Sequence, residues 1–208
     1  MTNVKIHGIT GSTCTQRIVI ICNELGIKYD LVLVDLVKGE QRKPEFIDNM
    51  HPFGQVPDTD GTKLYESRAI ARYLVTKYGK DSNLMPKPND LGAYALFEQA
   101  ASVECTAFDP HAGSIVFERA IKPAYDMAVD EARARNAEES LVAKMEAYER
   151  ILSKQKYLAG EHVTLADLFH VPPGAYIYGY NPSIFDRNPN VKRWWHDVSS
   201  RPSWKGFQ

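Results

Sequence analysis

Cysteine is scarce in this chain: Cys14, Cys22 and Cys105 are the only three in 208 residues. The number is odd, no Cys-x-x-Cys pair occurs, and no spacing of paired metal ligands is present. A disulfide scaffold is therefore excluded, and a reducing compartment is expected. Charge of one sign is also missing, since 25 Lys and Arg face 26 Asp and Glu for a net charge of -1. The basic residues are scattered rather than blocked, which argues against a nucleic-acid binder that works by charge. His51, His111, His162, His170 and His196 are dispersed, and none forms the i, i+4 pair with an acid that a zinc site would show, so no metal is expected. There is no apolar run long enough to span a membrane, and MTNVKIHGIT lacks a charged-then-apolar signal pattern. Internal repeats and low-complexity tracts are absent. A soluble, cytoplasmic protein is the expectation.

What is present is ordinary globular material, 44% hydrophobic, enough to bury a core in two modest domains or one large one. Residues 1–78 mix strand and helix signals. Val4, Ile6 and Gly8 alternate as a short strand does, and Ile18, Val19, Ile21, Cys22 and Leu25 then recur at helical spacing up to a Gly26 stop. Asp30–Leu36 (DLVLVDL) reads as a second, buried strand. Lys38–Phe46 is charged and irregular, with a weak helix behind Pro44. With the segment described next, the order is β-α-β-α-β-β-α, an α/β unit of the thioredoxin type. Residues 79–90 (GKDSNLMPKPND) carry two prolines and few apolar side chains, as a linker does. Residues 91–208 read as all-helical. Leu141, Met145, Tyr148 and Leu152 form a core stripe at steps of four, three and four. Thr164-Leu165-Ala166-Asp167 has the capping-box arrangement, with Asp in place of Glu. Asp167 is assigned to folding, not to catalysis. The chain ends soon after this half, so no further functional domain is expected.

The segment Asn49–Tyr73 (NMHPFGQVPDTDGTKLYESRAIARY) is the most informative. A strand meets Val56-Pro57, turns at Asp60-Gly61, re-forms at Lys63-Leu64-Tyr65 and runs through Glu66-Ser67 into a helix. A proline at a strand end leaves backbone groups free to pair with an extended peptide. The N–H groups opening the next helix attract an anion, and the Ser67 hydroxyl is placed to add a bond. A small peptide with a carboxylate at one end suits both surfaces. The pattern points to binding of a peptide thiol rather than a nucleotide.

Five pieces in order carry a family resemblance: Ser12-Thr13 ahead of Arg17-Ile18, NMHPFGQVP at 49–57, YESRA at 65–69, Phe108-Asp109-Pro110, and YLAGEHVTLAD at 157–167. Across essentially its whole length the chain resembles the cytosolic glutathione transferases, and within them the phi class. The resemblance implies a thioredoxin-like glutathione-binding domain followed by an all-helical domain. It implies conjugation of glutathione, the cosubstrate, to hydrophobic electrophiles, with reduction of organic hydroperoxides as an associated activity. It also implies a two-fold homodimer; from the charge and hydropathy above, neither nucleic-acid nor membrane partners are expected.

Carried over position by position, Ser12 matches the catalytic hydroxyl, with Thr13 as the second candidate donor. Gln41, Arg42, Gln55, Val56, Pro57, Glu66 and Ser67 match the glutathione site. Val56 would pair through its backbone with the cysteinyl unit, Pro57 is the cis-proline shaping that edge, and Gln55 is a polar contact. Glu66 and Ser67 face the γ-glutamyl end, and Gln41 and Arg42 the glycyl carboxylate. The chain departs from the family at Gln41, where histidine is common, and at Asp58, where a less polar residue is usual. Phe117 and Ile121, four apart and so on one helical face, match positions lining an electrophile pocket expected between the domains. Leu36 and Phe108 are further pocket candidates.

Plain readings stand beside these. Ser12 is also a suitable helix N-cap, Arg42 a solvated surface residue, and Glu66-Ser67 a helix-end charge and cap. Phe117 and Ile121 are equally consistent with core packing, and Phe53 with either core or a plug for a partner subunit. Cys14 raises a rival chemistry, mixed-disulfide exchange with glutathione, against a structural role packed on the first helix. Another rival is a non-catalytic carrier of hydrophobic ligands, or an interaction module.

Overall fold

A computed structural model of the chain describes residues 4–36, 38–53, 58–59 and 63–205. These fall into two compact units, those within Met1–Ser82 and Pro202–Gln208, and those within Asn83–Arg201.

The first unit is built on β1 (Val4–Gly8), α1 (Thr13–Leu25) and β2 (Tyr29–Leu33). After a 3-10 turn at Glu40–Arg42 come α2 (Pro44–Asn49), β3 (Asp58–Thr59), β4 (Lys63–Leu64) and α3 (Ser67–Tyr78). The four-stranded sheet has the order β2-β1-β3-β4. β1 runs parallel to β2 in the register Val4 to Tyr29 through Gly8 to Leu33, and antiparallel to β3, which pairs antiparallel with β4. A right-handed crossover is the natural route for the parallel pair, and α1 supplies it.

Val4 and Ile6 alternate inward as the period of two requires, each 0% exposed. α1 is buried almost all round, from Thr15 to Cys22. Ile18, Val19, Ile20 and Ile21 are each worth about 1.5–3 kcal/mol on burial and form the centre of this core. Gly26 ends the helix at φ 63, its N–H donating to Asn23 O while Ile27 N donates to Cys22 O at 2.8 Å.

Two local expectations change. The second strand is Tyr29–Leu33, not 30–36, and it is half-exposed rather than buried, with Val32 37% and Leu33 68% exposed. Its run of apolar residues mimics a doubly covered strand, but it lies at the sheet edge and has β1 as its one partner among the described residues. The tail also differs. α12 (Pro202–Lys205) belongs with the first unit rather than with the helical half, because Asn23 Nδ2 donates to Ser203 O at 2.9 Å and Ser203 Oγ to Glu24 Oε1 at 2.5 Å.

In the second unit a continuous helical run contains α4 (Leu91–Val103), a π-turn at Glu104–Phe108, α5 (Asp109–Val116), a second π-turn at Phe117–Ile121 and α6 (Lys122–Ala124). Then follow α7 (Glu131–Leu152), α8 (Leu165–Leu168), α9 (Val171–Tyr180), α10 (Ser183–Asp186) and α11 (Pro189–Ser199). The α7 stripe of Leu141, Met145, Tyr148 and Leu152 is buried as expected and packs with Trp194 of α11. Gly174 is required for close approach, since a Cβ there would lie 2.6 Å from the Trp195 ring. No helix among the described residues is long and apolar enough to cross a membrane.

Candidate functional site

The site candidates of the first unit sit where the chain passes from loop into helix. β1 ends at Gly8, packed so tightly on α1 that a Cβ would lie 2.2 Å from Thr15 Oγ1. The chain then turns through residues 9–12, with Ser12 N–H donating to Ile9 O. Ser12 is the N-cap of α1, with φ -81 and ψ 124, and is half-buried. Its Oγ accepts from Thr15 N at 3.4 Å, a long bond that uses a lone pair and leaves the O–H free to donate elsewhere. Thr13, also half-buried, is the first residue inside the helix. Cys14 is exposed, not packed on the helix as a structural cysteine would be.

At the start of α3, Glu66 is the N-cap and takes φ 71, ψ 104, a left-handed conformation that costs a non-glycine residue energy. Its side chain is exposed and makes no capping bond. Ser67, 7% exposed, is therefore the first helical residue rather than the cap. The start of this twelve-residue helix carries the positive end of its dipole, which favours an anion, while Ala69 N already donates to Glu66 O at 2.9 Å.

Arg17 joins these two helix starts. This residue is 1% exposed, and its Nη1 donates to Ser67 Oγ at 2.9 Å while standing 3.7 Å from Cys14 Sγ. The first turns of α1 and α3 are thus within reach of one guanidinium. Sequence reasoning used Arg17 as a marker of resemblance and gave it no role. The signal was present, because an arginine directly ahead of Ile18-Val19-Ile20-Ile21 stands on a buried helix, where a charge must find partners.

The Gln41-Arg42 pair lies on the 3-10 turn that Gly39 opens at φ 67. Glu40 pins that turn, its Oε2 accepting from Asp35 N at 2.8 Å, and Asp35 binds Lys38 at 3.0 Å. Arg42 is exposed, whereas Gln41 Oε1 is buried and finds no donor among the described residues. Gln55, Val56 and Pro57, with the expected cis bond, lie outside the described residues.

His51, 1% exposed, accepts from Phe53 N through Nδ1 at 3.1 Å, and its ring lies 4.7 Å from that of Tyr65. Burial pushes its pKa below the ordinary value. Phe53 itself is 74% exposed, so the core alternative for that side chain does not hold.

Among the pocket candidates, Leu36 is half-buried in the first unit. In the second, Phe117 is half-buried beneath Lys122 and Arg133, whose charged groups lie 5.6 and 5.9 Å from its ring, and Ile121 is 38% exposed. Phe108 must be corrected. It is 0% exposed, with its ring 4.4 Å from that of His170 and 6.5 Å from that of Tyr148, and so belongs to the core. Among the described residues no group of three or more His, Cys, Asp or Glu is placed to hold a metal.

Comparison with known proteins accords with this arrangement. The family profile described as the glutathione S-transferase N-terminal domain matches residues 11–77, and that of the C-terminal domain matches residues 108–202. The chain belongs to the glutathione S-transferase family. Glutathione S-transferase PM239X14 of Arabidopsis thaliana is 52% identical over 198 residues, covering 94% of this chain and 91% of that protein. Glutathione transferase F7 of Populus trichocarpa superposes with a TM-score of 0.91 at 34% identity, covering 98% of this chain and 97% of the other. Glutathione S-transferase I from mais, solved with an atrazine glutathione conjugate, gives a TM-score of 0.88 at 30% identity, with 99% and 96% covered. The F-type relatives bear out the phi-class likeness, and the thioredoxin-like unit followed by a helical unit is the fold of this family.

Proposed function

We propose that this transferase joins the glutathione thiolate to hydrophobic electrophiles, and that Ser12 holds the sulfur as the anion. The observation that carries the reading is the Ser12 hydroxyl at the start of α1, half-buried and with no acceptor for its proton among the described residues. A free thiol has a pKa of about 8.5, so only a few per cent is ionised near neutral pH. A hydrogen bond to a charged group is worth roughly 1.5–3 kcal/mol, and about 1.4 kcal/mol corresponds to one pKa unit. Ser12 alone therefore supplies a shift of one to two units, with the positive end of α1 adding to it. Sulfur then attacks the electrophilic carbon, the new S–C bond forms, and the leaving group departs with its electron pair. An enone takes up a proton instead.

Directed at a hydroperoxide, the same thiolate attacks oxygen. The O–O bond breaks, the alkoxide leaves as the alcohol after taking a proton, and a second glutathione converts the sulfenic acid to disulfide and water.

For the rest of glutathione, Ser67 and the opening N–H groups of α3 receive the γ-glutamyl carboxylate, and exposed Glu66 its ammonium. Gln55, Val56 and Pro57 serve the cysteinyl unit. Arg42 and Gln41 face the glycyl carboxylate; the exposure of Arg42 suits a solvated ion pair, and Gln41 Oε1 beside it is buried without a donor among the described residues. Phe117, Ile121 and Leu36 are the proposed apolar contacts of the electrophile. Exposed Phe53 is proposed as the plug for a second copy in a homodimer.

Ser12→Ala is the test. Removing a charge-stabilising bond should lower kcat by about 10- to 100-fold with KM for glutathione largely kept, and should remove the thiolate absorbance that appears when glutathione is added. Unchanged turnover and absorbance would discard Ser12 as the donor and move attention to Thr13.

A further inference from the structure

Beyond the residues that touch glutathione in this reading, we propose that Arg17 is the positioning residue for its γ-glutamyl carboxylate. The inference rests on the placement of that carboxylate at the start of α3. Arg17 lies on α1, fifty residues upstream of its partner, and at 1% exposure cannot meet a ligand as a surface cation does. What it does meet is Ser67 Oγ, at 2.9 Å.

The chemistry of the two groups sets the direction of every proton. A guanidinium has five donors and no acceptor, so Ser67 must accept from it. The Ser67 proton is then unable to point at Arg17 and is turned to the other side of its oxygen. Ser67 is itself 7% exposed and stands at the first position of α3, at the positive end of the helix. A serine in such a place ordinarily rotates among several bonds. Here the Arg17 bond removes one of those orientations before any ligand arrives.

Charge adds to geometry. The guanidinium lies behind the positive end of α3, in surroundings that screen it less than water does, and both fields favour the same anion. Glu66, strained at φ 71, sets an exposed carboxylate directly before Ser67 in the chain. An α-amino acid end, carrying both charges on one carbon, is the ligand chemistry that this pairing of buried cation and exposed anion recognises. Arg17 thereby selects for the carboxylate half of that pair without touching it.

The experiment compares glutathione with an analogue whose γ-glutamyl unit is replaced by γ-aminobutyryl, which lacks this carboxylate. Binding, KM and kcat are measured for the wild type, Arg17→Gln and Arg17→Lys, with the melting temperature of each. Arg17→Gln should weaken glutathione by about 10- to 100-fold, leave kcat at saturation within a few-fold, and leave affinity for the analogue unchanged. Arg17→Lys keeps the charge but not the planar fork and should fall between. Equal glutathione affinity in a folded Arg17→Gln overturns the proposal. So does an equal loss for both ligands, the mark of a brace between α1 and α3 and nothing more. Should Arg17→Gln fail to fold, the ratio of the two affinities in Arg17→Lys decides: a smaller ratio than in the wild type supports the proposal, and an unchanged ratio overturns it. A wild type that does not prefer glutathione to the analogue removes the γ-glutamyl site itself, and this inference with it. A preference in the wild type that survives undiminished in the variants removes the inference alone.

Discussion

Trp194 donates from Nε1 to Asp167 Oδ1 at 2.9 Å, in the interior of the helical unit. The same carboxylate accepts from Leu158 N at 3.0 Å, Thr164 N at 2.9 Å and Thr164 Oγ1 at 3.0 Å. One side chain thus ties the start of α8, the loop before it and α11 together. Burial pushes its pKa up, and the four donors oppose that rise.

Asp167→Ala strands several buried donors at once. A loss of about 3–5 kcal/mol is expected, because each buried group left unsatisfied costs about 1–3 kcal/mol and part of the loss is relaxed away. Urea denaturation followed by tryptophan fluorescence measures it. A loss under 1 kcal/mol, on the order of an ordinary surface change, would contradict the role.

Glu118 gives the helical unit a pH dependence of known sign. Its Oε2 binds Lys122 Nζ at 2.7 Å and accepts from Asp130 N at 2.9 Å, and these bonds hold its pKa below the ordinary value. The unfolded chain therefore takes up the proton first as pH falls. The contribution is complete above the ordinary glutamate range and disappears as pH falls through the folded-state value. Melting curves of wild type and Glu118→Gln should differ most near neutrality and converge in acid. A gap that widens in acid would refute the assignment.

Cys14 is exposed, and its sulfur lies 3.7 Å from Arg17 Nη1. Cys14→Ser should keep the conjugation rate within about two-fold, as for a surface change of roughly 0.5 kcal/mol. A large loss, together with loss of any reduction of glutathionyl disulfides, would favour the thiol-exchange reading.

Phe53 is exposed beside the ring of Tyr65, with 6.3 Å between centroids. If it fills a pocket on a second copy, Phe53→Asp should shift sedimentation from dimer to monomer at micromolar concentration while each unit keeps its circular dichroism. Identical sedimentation would remove Phe53 from the interface.

Legibility of the sequence varied with the range of the interaction concerned. The α7 stripe, the Gly26 cap and the Thr164–Asp167 pair were readable because each depends on residues within a few positions of one another. Phe108 misled for the opposite reason. An aromatic on a helix looks the same whether it faces a ligand or a core, and only His170, far along the chain, shows which. The exposed second strand misled in the same way, its apolar run saying nothing about which strands lie alongside.

Local pattern by itself determined the order of elements, the two-part build, the family and the serines at the helix starts, since caps, turns and periodicity are short-range and leave their marks on neighbouring residues. The tertiary structure alone decided that Arg17 reaches Ser67, that Glu66 rather than Ser67 opens α3 in a left-handed turn, and that residues 202–205 return to α1. Each of these joins groups distant along the chain, or a backbone angle to its surroundings, and packing in three dimensions is what brings such partners together.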